Sequence, residues 1–225
     1  MNLPTIAISL EVIRDHVSQF DKMYRKIFIH NPSLMSVDEN FRYSDRELSE
    51  VEIKLIEDKQ DELITYPLNT YDLSNHYRFD TIEEFKIFFY QDYALEIFGS
   101  AQQFHGAMDA FNVISNYGVR NKLYNTCLFS KESDFSSQAT YHFLSKTGCR
   151  ARNIKFFFDE SEYSDSCDIL ITSSPIAIQN KKDKTIIKIN REYNVYEESV
   201  SDYNFETLNL VTPTEILNIL NKNKQ

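Results

Sequence analysis

Thr5-Ile6-Ala7-Ile8-Ser9-Leu10-Glu11-Val12-Ile13-Arg14-Asp15 is the stretch on which the fold of this chain turns. Thr5 to Leu10 is a short β-type run, entered at Pro4. From Ile13 to Phe28 the spacing becomes helical, with Ile13, Val17, Phe20, Tyr24, Ile27 and Phe28 on one face. A strand that feeds directly into a helix is how an α/β unit begins.

The next hundred residues read as helical. His30 to Asn40 is loop-like, and Ser44 to Leu63 reads as a helix with Ser44 and Glu47 in capping-box spacing. The segment 70–79, with Tyr71, His76 and Tyr77, reads as an adaptable surface segment. Asp80 opens a helix expected to reach Phe98, and Phe104 to Tyr117 a further one with Gly118 as a left-handed C-cap. Phe85, Ile87, Phe88, Phe89, Tyr90 and Tyr93 crowd more than one face of the first of these, either to pack an insertion onto the core or to meet a partner.

After Gly118 strands return. Leu123 to Phe129, Ile154 to Phe158, Asp168 to Thr172, Thr185 to Asn190 and Leu208 to Val211 read as strands; Ser136 to Thr147 and Pro213 to Leu220 read as helices. Alternation of this kind predicts a parallel sheet with helices on both faces. Residues 1–17 and 119–225 then form an α/β core, and 18–118 a helical, cap-like insertion.

Composition limits the function classes. The 225 residues suit one large domain or a core with an insertion, and 42% hydrophobic residues suffice for a buried core. A net charge of −10 disfavours general binding to nucleic-acid backbones. The basic run Lys181-Lys182-Asp183-Lys184 reads as an exposed hairpin turn, and the acidic stretch 196–206 as a docking arm or a solvated turn. Cys127, Cys149 and Cys167 suggest neither a disulfide framework nor a zinc site. Without a signal-type leader or a long apolar run, a soluble protein is expected, with no membrane partner. The abundance of Lys, Asn and Ile is common in AT-rich genomes such as those of many phages.

The opening stretch, the strand ending at Ser130, the helix and strand from Phe143 to Asp159, and Asp168-Ile169-Leu170-Ile171-Thr172-Ser173-Ser174-Pro175 together resemble the haloacid dehalogenase-like (HAD-like) superfamily, in particular its 5′(3′)-deoxyribonucleotidase-like branch with phage-encoded members. Ile187 to Asn194 resembles the ending of that branch. The resemblance implies a Rossmann-like core and a phosphatase site. That site has an aspartate nucleophile that also binds Mg²⁺, an acid/base aspartate two residues on, a phosphate-binding Ser or Thr, a lysine, and one or two late aspartates that complete the metal shell.

Carried over residue by residue, most of that chemistry is missing. Ser9 stands at the nucleophile and Glu11 at the acid/base position, and the glycine that should follow is replaced by Val12 or deleted. Ser130 matches the phosphate-binding serine. Glu160 falls at or near the lysine position, with Lys155 and Lys146 as the nearest alternatives. Thr172 and Ser173 replace the paired aspartates. Neutral hydroxyls cannot build the acidic cage that a hard divalent cation needs. The resemblance with these losses implies no metal and no cofactor.

Elsewhere the candidates are sparse. His16, His30, His76, His105 and His142 form no HxH or HxxxH pair and read as structural. Cys127 reads as a buried thiol. Ser130 with Ser133, Ser136 and Ser137 reads as a helix cap or an anion site, and Glu11 with Asp15 as ordinary loop carboxylates or a cation site. The sequence therefore predicts an inactive HAD-like protein with a structural or interaction role, homo-oligomeric or bound to other proteins. The concrete expectation is a phage virion component such as a head–tail connector or collar, found in the host cytoplasm or the virion. The alternatives are a Mg²⁺-dependent nucleotidase with a degenerate site, and a regulatory module that holds a nucleotide around Ser130.

Overall fold

The computed structural model describes residues 3–30, 71–77, 79–132, 135–197 and 201–222. The helix expected over 44–63, with its Ser44–Glu47 capping pair, and residues 31–40 of the loop expected over 30–40 lie outside the described residues, as do the side chains of His30 and His76.

Six parallel strands form one sheet: β1 (Thr5–Ser9), β4 (Asn125–Lys131), β5 (Ile154–Phe157), β6 (Ile169–Thr172), β7 (Thr185–Ile189) and β8 (Tyr203–Phe205), in the spatial order β5-β4-β1-β6-β7-β8. Two further short strands, β2 (Arg14–Asp15) and β3 (Gln102–Gln103), pair antiparallel beside it. Counting only strands of the large sheet in chain order, the arrangement is 3-2-1-4-5-6, the Rossmann order. The chain fills one side of β1 and then crosses to the other, so the carboxyl ends of β1 and β6 flank the topological switch point, where ligands of open α/β sheets bind.

Both faces of the sheet are buried, which explains the near-continuous apolar strands. Ile6, Ile8, Leu128, Ile169, Ile171 and Ile187 pack into one core with Phe111 and Ile114 of the helix Ala107–Asn121 and Ile216 and Ile219 of the helix Pro213–Lys222. Ala7, Phe129, Leu170 and Ile186 face the other side, against Tyr163, Ala177 and Ile178. A third cluster stands apart. Phe20, Tyr24, Phe28, Tyr77, Phe85, Phe88, Phe89 and Phe98 pack ring on ring, and Ala139 of the helix Ser136–Lys146 joins them to the sheet layers. The dense aromatic run is thus the core of a second layer rather than an exposed patch. The second half of that run winds as wide π-turns, Phe88–Asp92 and Leu95–Gly99, instead of the single helix expected to Phe98.

Other expectations are corrected locally. The first helix begins at His16, not Ile13, because Ile13 is buried in the main core, Arg14 and Asp15 pair with Gln103 and Gln102, and Asp15 caps the helix by accepting from Ser18 N at 3.1 Å. Leu10–Val12 forms a 3-10 turn, and among the described residues positive φ occurs only at Lys122, Lys182, Gly106 and Gly148, so this turn needs no glycine at Val12. Gly118 is not a cap. The helix runs on to Asn121 with Lys122 in the left-handed region, and a Cβ on Gly118 would meet Tyr124 Cε2 at 2.3 Å.

Leu208–Leu210 is a 3-10 turn, and the last strand lies earlier, inside the acidic stretch, where Tyr203 and Phe205 pair with Ile187 and Ile189. Asp202 and Glu206 flank only three residues and hide the alternation. The lysine run is no hairpin. It links the helix Pro175–Gln179 to β7 in a crossover between parallel strands, with Lys181 paired to Asp202 at 3.0 Å. Among the described residues no helix is long and apolar enough to cross a membrane.

Candidate functional site

Strand register brings the expected positions together. Ser9 ends β1, Ser130 lies near the end of β4 and Thr172 ends β6, so all three meet at the carboxyl edge around the switch point. Glu11 enters from the 3-10 turn after β1, and Glu160 from the 3-10 helix Glu160–Ser166 after β5.

The hydroxyls at this edge are already engaged. Ser9 Oγ donates to Glu11 Oε1 and also lies 3.1 Å from the Ile171 carbonyl oxygen. Thr172 Oγ1 donates to the same Glu11 oxygen at 2.7 Å, and itself accepts from Ser174 N at 3.1 Å. Ser173 Oγ pairs with Tyr193 Oη at 3.0 Å. Ser130 Oγ donates to Glu132 Oε1 at 2.7 Å, and Thr140 Oγ1 and Arg14 Nη2 reach that oxygen at 2.5 and 3.0 Å. The Arg14–Glu132 ion pair is buried, and the guanidinium lies 4.6 Å from the Phe98 ring centre.

Glu160 occupies a second node. Tyr71 Oη donates to its Oε1 at 2.5 Å and Ser174 Oγ to its Oε2 at 2.7 Å. Burial, and then the neighbouring Glu11 carboxylate, push its pKa up to about 7. The Tyr71 phenol is pushed well above its ordinary range by burial and then by Glu160 and Glu11. The segment read as adaptable surface thus docks inward: Tyr71 on Glu160, and the buried Tyr77 on Asp21 at 2.6 Å.

A cavity of about 310 Å³ opens over this edge. Glu11, Ser130, Lys131 and Glu160 line its floor, while Tyr71, Tyr90, Phe85, Phe89 and Phe98 wall it. Ser9, Thr172 and Ser173 are each 0% exposed and lie outside its lining. The groups at the nucleophile and late-acid positions are therefore behind the floor, not on it.

Of the lysine candidates, Lys155 Nζ lies 5.9 Å from the Phe129 ring and Lys146 Nζ reaches the Ser100 carbonyl, and neither lines the cavity. The lysine at the floor is Lys131, the residue after Ser130. Lys188 is buried beside Thr172 in register, with Nζ donating to the Asn194 carbonyl at 3.1 Å. Neither was anticipated. Lys131 could have been found from its place at a strand end; Lys188 gave only a charge amid an apolar run. Tyr71, Tyr193 and the Arg14–Glu132 pair carried no motif.

The other expected groupings are not assembled. Asp15 caps its helix instead of joining Glu11. Phe135, not a serine, occupies the N-cap position before Ser136, and Ser133 lies outside the described residues. His16 lines the cavity, yet burial and then Arg14 hold its pKa down at about 3, so it is neutral near pH 7. His142 lies on the exposed side of its helix, and His105 offers its carbonyl oxygen to Asn209. Burial raises the Cys127 thiol.

The donor set does not fit Mg²⁺. Three strand-edge positions, Ser9, Thr172 and Ser173, carry hydroxyls, and two of these direct their protons at the one carboxylate beside them. Among the described residues no group of three or more His, Cys, Asp or Glu side chains is arranged to hold a metal.

Solved structures identify the architecture. A haloacid dehalogenase-like family hydrolase from Xanthomonas campestris superposes with a TM-score of 0.52 at 11% identity, over 100% of this chain and 99% of that one. A HAD hydrolase of family IA, variant 3, from Entamoeba histolytica gives a TM-score of 0.52 at 12% identity, over 98% and 100%. The fold is the α/β, Rossmann-like HAD fold, a parallel sheet flanked by helices. No protein-family model and no curated protein matches the sequence.

Proposed function

We propose that this chain is a pseudo-phosphatase: a HAD-fold protein that does not perform phosphoryl transfer and acts through what it binds. The observation that carries this reading is the placement of Ser9, fully buried behind the cavity floor with its hydroxyl given to Glu11. A serine there forms no acyl-phosphate. Although Glu11 lies within hydrogen-bond reach as a base, the Ser9 oxygen has no access to a substrate in the cavity. Loss of a nucleophile alone removes several orders of magnitude of rate, and here the metal ligands are lost with it. Incubation with Mg²⁺ and deoxynucleoside monophosphates should release no phosphate; release above the protein-free control would revive the degenerate-nucleotidase reading.

In this reading the aromatic layer of Phe20, Tyr24, Phe85, Phe89 and Phe98, inside the expected insertion, caps the switch point, whereas the helix Ala107–Asn121 belongs to the core, and the protein works in assembly with copies of itself or with other proteins. The resemblance to a branch with phage-encoded members, together with the abundance of Lys, Asn and Ile, supports a virion assembly, with this chain as a connector or collar component. Light scattering of the purified chain tests it. A defined oligomer or a stable complex with virion proteins supports the role, and a monomer with no partner in virions counts against it. The nucleotide-holding alternative is less well supported, because Ser130 already donates to Glu132.

A further inference from the structure

We propose that the cavity over the strand edge binds a small organic cation, a primary amine carried on an apolar or aromatic body. The inference rests on the reading of the site as one that has left phosphoryl chemistry. Its volume, about 310 Å³, is at the small end of the range for ligand pockets.

The charge at the floor is the first argument. Glu11 is 7% exposed and Glu160 3%, and both face the same cavity. Arg14 also borders it, but its guanidinium is held by Glu132, Thr140 and Phe98. Among the described residues that line it, Lys86 is paired with Glu83 at 2.6 Å and Asp72 accepts from Ser74 N at 3.0 Å, which leaves Lys131 facing the carboxylates of Glu11 and Glu160. Crowding of two buried carboxylates is relieved by an arriving positive charge and worsened by a phosphate. The raised pKa of Glu160 is the signature of that crowding.

The hydrogen-bond inventory is the second argument. An incoming anion needs donors, yet at the floor Ser130 already donates to Glu132, which leaves it Lys131 among the described floor residues. An ammonium brings its own three donors and needs acceptors, which Glu11 supplies. The walls are the third argument: Tyr71, Tyr90, Phe85, Phe89 and Phe98 give an aromatic lining suited to an organic cation.

The test is a calorimetric titration of the full chain with 2-phenylethylamine, 2-phenylethanol and phenyl phosphate. Saturable binding of the amine, at least tenfold tighter than the alcohol and with no binding of the phosphate, is expected. Glu11→Gln should weaken the amine at least tenfold. Lys131→Met, which removes the opposing charge, should tighten it, a change that misfolding does not produce. Absence of saturable amine binding, tighter binding of phenyl phosphate, or an amine affinity unmoved in both variants would overturn the proposal. Phosphate release is assayed separately, so failure of the pseudo-phosphatase reading and failure of the amine site give different results.

Discussion

Thr172 Oγ1 donates to Glu11 Oε1 over 2.7 Å, tying the tip of β6 to the turn after β1 across 161 residues of chain. In a magnesium-dependent site these two positions would both bear acids. Here one is the donor and the other the acceptor of a hydrogen bond, and Ser9 adds a second donor to the same oxygen. Thr172→Val keeps the shape and removes the donor. It should cost about 1–3 kcal/mol, because the buried Ser174 N–H loses its acceptor and Glu11 loses one of two donors, read as a lower urea midpoint with an unchanged slope.

Glu160 makes stability depend on pH. In the folded chain its pKa is about 7 against an ordinary value of 4.5, so between these values the folded state holds a proton that the unfolded state has lost. Stability from this group is fully present below pH 4.5, declines as pH rises, and is lost above about 7; the shift corresponds to roughly 3 kcal/mol. Glu160→Gln should flatten this slope, so that denaturant midpoints at pH 5 and pH 8 lie closer together than in the wild type. An equal slope in both proteins would refute the assignment.

Arg14 and Glu132 form a pair whose side chains are 3% and 1% exposed. Removing one partner strands the other in a low-dielectric interior. Glu132→Ala should therefore destabilise by about 3–5 kcal/mol, whereas an apolar double replacement, Arg14→Met with Glu132→Leu, should recover most of it. Thermal unfolding of the wild type and the two variants checks the difference.

Gly118 lies inside a helix, where alanine is ordinarily favoured by about 1 kcal/mol. Its missing Cβ is the space that Tyr124 fills, at 2.3 Å, and Tyr124 Oη is fixed at 3.1 Å from the Ile114 carbonyl oxygen. Overpacking of about 1–3 kcal/mol should exceed the propensity gain, so Gly118→Ala lowers the melting temperature. A rise would show that Tyr124 moves freely.

The parallel sheet was legible because its strands carry apolar runs with identifiable ends: Thr5–Ser9, Asn125–Lys131 and Ile169–Thr172 lie where the pattern places them. β8 was not, since only Tyr203 and Phe205 alternate, between acids, and Leu208 and Val211 are apolar because they fill the core from a turn. The grouping of Ser9, Glu11, Ser130, Glu160 and Thr172 was what the resemblance implied, and it carried these residues over one by one. What the sequence could not yield was the pairing among them. Tyr71 reaches Glu160 across 89 residues, and Arg14 reaches Glu132 across 118, contacts set by tertiary packing with no local spacing rule. The aromatic run showed the same limit: its composition was plain, but its role as a separate core depends on Phe20, Tyr24 and Tyr77 meeting it.

The most direct test of the central claim is phosphate release by the purified chain with excess Mg²⁺ and a panel of deoxynucleoside monophosphates, alongside Glu11→Ala. The account predicts release indistinguishable from the protein-free control for both proteins. Turnover by the wild type that vanishes in Glu11→Ala would contradict it.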